Sequence, residues 1–175
     1  MTWLTPAARR ACDTALMDEP EPEMQVASDD YRIVTDDVVL CAQLHSSLVV
    51  CLYDAVEEHG ALMHLRLAAP GHSRDPNLTD NTLSSDLALL DRALRELNAV
   101  SPRAQHWQAK LVAHTEDQAS ARVRCEGLQA FIGAFLQDAG IQVVSSMAHA
   151  DPVVSVRFRP AMGQVRTLTS ATVSA

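Results

Sequence analysis

The chain has 175 residues, enough for one domain with a sizeable core. Apolar residues make up 47% and charged residues 21%, an ordinary globular balance that excludes wholesale disorder. The net charge of −8 argues against nucleic acid and against anionic membrane surfaces as partners, and no apolar run is long enough for membrane insertion.

Taken in order, the first seventeen residues predict a short helix, with Thr5 as N-cap and Pro6 in the first turn. Asp18–Glu23 is an acidic, proline-rich connector expected to be extended and solvated. Residues 1–24 are therefore taken as an N-terminal extension, 25–169 as the domain and 170–175 as a frayed tail. Without a signal-peptide h-region, the chain is expected to be cytoplasmic with reduced thiols.

Tyr31–Val34 predicts a first short strand and Asp36-Asp37 a turn. From Val38 to Leu67 two Val- and Leu-rich runs flank a polar connection ending at Gly60, which predicts two buried strands joined as a hairpin. Pro70–Asn81 reads as a surface loop. A helix capped at Ser84 or Ser85 should run to Asn98, with Leu87, Leu90, Leu94 and Leu97 as its apolar stripe. Asp91 with Arg95 and Arg92 with Glu96 are i,i+4 pairs on its exposed side. His106–Val112 predicts a strand, and Glu116–Cys125 a polar loop. Gly127–Asp138 predicts a second helix, stopped by Gly140 at a C′ position. Ile141–Ser145 follows as a strand. Val153–Arg159 alternates apolar with polar residues, and Met162-Gly163 turns it into Gln164–Leu168, an antiparallel hairpin at a sheet edge. Two helices against about six strands predict one α+β domain of layered mixed β-sheets, with the helices packed on the outer faces.

Few polar residues interrupt the central apolar runs: Cys41, His45, Ser46, Ser47 and His64. A hydroxyl and an imidazole on neighbouring strands can meet in space, as a nucleophile and its base must. Such runs are also ordinary core strands, in which a histidine is ordinarily a hydrogen-bonded core residue. The four cysteines, Cys12, Cys41, Cys51 and Cys125, show no CxxC spacing. Cys41, His45, His59 and His64 lack a recognised ligand spacing, so neither a metal nor another cofactor is expected.

The run Cys41-Ala-Gln-Leu-His45-Ser46-Ser47-Leu-Val-Val-Cys51-Leu52-Tyr53-Asp54, followed by Gly60-Ala-Leu-Met63-His64, resembles the signature of the chemoreceptor glutamine deamidases, the CheD family of bacterial chemotaxis. That signature is close to T-x-x-x-G-S-C-V-A-V-C-L-Y-D, then a loop, then G-x-M-x-H. The two align without a gap, and His64 stands 17 positions after Ser47, the family's spacing from nucleophile to base. The resemblance implies catalytic roles for Ser47, at the place of the nucleophilic Cys, and for His64, the base. It places Cys41 where the family has its assisting Thr, and His45 where it has a Gly. Further on, Ala113-His114-Thr115 replaces a Gly-Gly-Ala turn, and Met147-Ala148-His149-Ala150 an Asp-Thr-Gly-Gly loop.

A free thiol ionises near pH 8.5 and an imidazolium lowers that value, whereas a serine hydroxyl needs an oriented base and an oxyanion hole. Deamidation is therefore expected to be weak or absent. The resemblance implies binding to chemoreceptor cytoplasmic helices or to a CheC-like chemotaxis protein. The alternatives are a working amidohydrolase using Ser47 or Cys41 with His64, or an interaction domain without a chemotaxis link.

Overall fold

The computed structural model describes residues 22–66, 68–69, 72–73, 81–115, 119–150 and 154–169. The expected helix over residues 1–17, most of the acidic connector, most of the loop over 70–81 and the tail from 170 lie outside them.

The long apolar run does not form one strand. It is broken at His45-Ser46 into β3 (Val39–Leu44) and β4 (Ser47–Asp54), which lie in different sheets. Ser46 has φ of 45°, in the left-handed region, and there the chain leaves one sheet for the other. Before this break come β1 (Glu23–Gln25) and β2 (Asp30–Val34). After it come β5 (His59–Arg66) and a two-stranded ribbon of β6 (Ala68–Ala69) with β7 (His72–Ser73). Helix α1 (Asn81–Val100), β8 (Gln108–His114), helix α2 (Ala119–Asp138) and β9 (Gln142–His149) follow. β10 (Val154–Arg159), a 3-10 turn (Pro160–Met162) and β11 (Gln164–Thr169) complete the order.

The five-stranded sheet runs β2-β5-β4-β8-β9 and the four-stranded sheet β1-β3-β10-β11. Both are mixed: β8 with β9, and β1 with β3, are parallel, and the other neighbours are antiparallel. β4 reads as a continuous apolar run because both of its faces are covered. Leu48, Val50 and Leu52 pack against Leu90 and Leu97 of α1 and Ile132 of α2. Val49, Cys51 and Tyr53 face Leu40, Val156 and Phe158 of the four-stranded sheet. The domain is thus a layered α+β structure, as the element order predicts, with both helices on one outer face of the five-stranded sheet.

Strand β10, between β3 and β11, alternates buried and half-buried residues because one face alone is covered, and β11 is the sheet edge expected of the hairpin. Helix α2 starts earlier than the apolar pattern indicates. The polar composition of Glu116–Cys125 predicts a loop, yet from Ala119 onward this segment is helix, and the buried Cys125 extends the stripe of Leu128, Ile132 and Leu136 by a turn. The helix ends as expected in a Schellman motif. Gly140 has φ of 78°, its N–H donates to the Gln137 carbonyl at 2.9 Å, and the Ile141 N–H donates to the Leu136 carbonyl at 2.8 Å. β9 runs on to His149 because, past a bulge at Val144, it stays paired in parallel with β8 as far as His114, so Met147-Ala148-His149 is strand rather than loop.

Two residues of the central run have structural reasons to be what they are. A Cβ at Gly60 would stand 2.3 Å from the Leu52 carbonyl and 2.7 Å from Pro160, so the 3-10 turn can close over β5 there only above a glycine. Asp54 is wholly buried and ends β4. Its Oδ1 accepts the N–H groups of Val56 (2.8 Å) and Glu57 (3.2 Å), and its Oδ2 that of His106 (2.9 Å). Burial alone would raise this carboxyl, but the three donors outweigh it and hold it below its ordinary value.

Candidate active site

The site lies at the end of the five-stranded sheet where β4 begins. Ser47 is the first residue of β4, opposite Arg66 of β5, and His64 lies opposite Val49. The two side chains are therefore diagonal neighbours on the face turned toward the four-stranded sheet. Ser47 Oγ is 3.0 Å from His64 Nε2, and both residues are buried. The structure thus brings together two of the residues singled out in the sequence.

The other ring nitrogen settles which way the bond runs. His64 Nδ1 lies 3.2 Å from the Val26 carbonyl, which can only accept, so Nδ1 carries the proton. Nε2 is then left with its lone pair facing the Ser47 hydroxyl. Burial is the main influence on this imidazole and lowers its pKa, assisted by Arg66 and His45 and opposed by the Val26 carbonyl and Asp29. Near neutral pH the ring is therefore uncharged and in the tautomer that a base for Ser47 needs. The group behind the ring is a backbone carbonyl. Asp29 sends its carboxylate to Arg66, 3.4 Å away, and its N–H to the His64 carbonyl at 2.7 Å.

The turn ahead of Ser47 is closed by its own hydrogen bonds. The His45 N–H donates to Ser47 Oγ at 3.2 Å, and the Ser46 N–H donates to His114 Nδ1 at 3.0 Å. The positive φ falls on Ser46 rather than on His45, the position aligned with the family's glycine.

Cys41 lies elsewhere. Leu40, Ala42 and Leu44 of β3 point into the space between the sheets, and Cys41 alternates to the opposite face. There its Sγ donates to Glu23 Oε2 at 3.7 Å, beside the ion pair of Glu23 with Arg157. Burial pushes this thiol up, as does the Glu23 charge, against the pull of Arg157. Cys51 is sealed in the core between the sheets, and its thiol too is pushed up by burial. Among the described residues, no group of three His, Cys, Asp or Glu side chains is arranged to hold a metal. No described helix is long and apolar enough to cross a membrane.

The sequence reading missed two contributors. The Val26 carbonyl leaves no trace in residue type. His114 did, because it stands where the resemblance has a small-residue turn.

A hydroxyl hydrogen-bonded to a neutral, oriented imidazole thus lies buried between the layers of an α+β domain, the arrangement that a nucleophile and its base require. Over most of its length the chain is similar to proteins named as probable chemoreceptor glutamine deamidases. It is 26% identical over 152 residues to the protein named Probable chemoreceptor glutamine deamidase CheD of Agrobacterium fabrum, covering 86% of this chain and 82% of the relative. The proteins of that name from Rhizobium rhizogenes and Rhizobium leguminosarum bv. trifolii are 27% and 26% identical over 144 residues, covering 82% of this chain and 77% of each relative. No protein-family model matches the chain.

Proposed function

We propose that this protein is a CheD-like chemotaxis protein of the bacterial cytoplasm that binds helical cytoplasmic segments of chemoreceptors, or a CheC-like partner, and deamidates glutamine slowly or not at all. The similarity to proteins named as chemoreceptor glutamine deamidases supports the binding side of this reading. The observation that carries the weak chemistry is the state of the turn before Ser47. Two successive backbone donors, the N–H groups of His45 and Ser46, are already engaged inside the protein. A tetrahedral oxyanion needs preorganised donors of that kind, and losing one typically costs about 10²–10³ in rate. The nucleophile is an alcohol, and its base is backed by a carbonyl in place of a carboxylate.

The test is a single incubation with a receptor cytoplasmic fragment. Retention of the fragment on immobilised protein is expected, without the mass change of Gln to Glu. Retention no greater than on an unrelated acidic protein would refute the binding role.

A second reading is an amidohydrolase, favoured by the tautomer fixed at His64. Ser47 Oγ would attack the side-chain amide carbon while its proton passes to Nε2. Nε2 would then protonate the departing ammonia, and water would hydrolyse the ester to release Glu. Conversion abolished by Ser47→Ala would establish this reading. Conversion unchanged in that variant would turn attention to Cys41, which the position facing Glu23 supports least.

A further inference from the structure

The turn that delivers Ser47 is held from a third strand. Ser46 occupies the left-handed region at φ of 45°, a conformation that a residue with a side chain keeps only where its surroundings enforce it. Its N–H donates to Nδ1 of His114, the last residue of β8, 5% exposed and register-paired with Ser47 itself. Accepting at Nδ1 requires this imidazole to carry its proton on Nε2. The His45 ring meets the His114 ring edge-on, with centroids 6.5 Å apart. One side chain thus touches both residues that precede the hydroxyl.

We propose that His114 is a positioning residue for Ser47: its Nδ1 fixes the peptide at Ser46 so that the next side chain reaches His64 Nε2. The inference rests on the reading of Ser47 and His64 as the reactive pair. His114 acts through Ser46, because the direction of the first Cα–Cβ bond of β4 follows from the orientation of that peptide. Packing alone would be served by any ring of similar volume, whereas this role needs an acceptor at one atom. Misplacing a reacting group by 1 Å can slow a reaction by about 10²-fold.

The experiment uses Ser47→Cys, because alkylation of a thiol by iodoacetamide reports its contact with the imidazole. Rates are measured across pH for this protein alone and combined with His64→Gln, His114→Asn, His114→Gln or His114→Phe. Circular dichroism and thermal melting establish that each is folded. Asn places its carbonyl near the site of Nδ1, and its rate should stay within about threefold of the parent. Phe keeps the ring without the acceptor, and its rate at neutral pH should fall by about tenfold, with the pH–rate midpoint moved upward. Gln reaches the Nε2 side instead, should behave like Phe, and decides the matter if the Phe protein does not fold. A folded Phe or Gln protein with the parent rate and profile overturns the proposal. So does an Asn protein that falls as far as the other two. Alkylation indifferent to His64→Gln would overturn the reactive pair itself. Alkylation that needs His64 but not His114 overturns the positioning role alone.

Discussion

Replacement of Asp54 tests whether the end of the central apolar run is there for folding rather than for chemistry. Its carboxylate is wholly buried and accepts three backbone N–H groups, from Val56, Glu57 and His106. A hydrogen bond to a charged group contributes about 1.5–3 kcal/mol. Three at the lower end would sum to about 4.5 kcal/mol, but Val56 is exposed, so water can recover part of the turn's share. Asp54→Ala should therefore lose about 3 kcal/mol, or roughly 6–12 °C in Tm for a chain of this size. Asp54→Asn keeps one acceptor oxygen and should lose about 1–2 kcal/mol. The pH dependence has a definite sign. The folded carboxyl lies below its unfolded value, so its contribution is complete above the unfolded pKa of about 3.9 and disappears as pH falls through the folded one. Urea unfolding at pH 7 and again in acid measures both. An unchanged midpoint for Asp54→Ala at pH 7, or a gap from wild type that stays constant into acid, refutes the reasoning.

His64 is held neutral by burial, so the unfolded chain binds more protons between the unfolded pKa of about 6.5 and the lower folded value. Stability should fall as pH drops through that window, and His64→Gln should flatten this part of the urea-midpoint profile. Cys41, Cys51 and Cys125 are buried and their thiols are raised, Cys125 to about 11, so iodoacetamide at neutral pH should leave all three unmodified in the native protein, as peptide mapping would show. A Cβ at Gly127, inside α2, meets nothing within 4 Å, so Gly127→Ala should raise stability by about 0.5–1 kcal/mol in thermal melts.

What could be read in the sequence was what periodicity and spacing encode. The paired apolar runs gave β4 and β5 as neighbours, and two strands folding back on each other put Ser47 and His64 within reach. The alternation Val154, Val156, Phe158 gave β10, and Gly140 the end of α2. The break at His45-Ser46 was not legible, because a strand that changes sheets without an insertion keeps its apolar character on both sides. The first turns of α2 were missed since they present Arg122 and Val123 to solvent and show no stripe of their own. The orientation of Cys41 was available from alternation with Leu40 and Ala42, once β3 is recognised as a separate strand. The acceptor behind His64 is a main-chain oxygen, and no residue pattern announces one.

That main-chain oxygen ties the imidazole to the seam of the sandwich. Val26 lies between β1 and β2, and its own N–H is anchored to the Cys41 carbonyl of the four-stranded sheet at 2.8 Å. The ring belongs to one layer, and the peptide that assigns its proton is moored to the other. The protonation pattern of His64 is consequently a gauge of how the two layers are seated. Anything that pries them apart disarms the base without touching it.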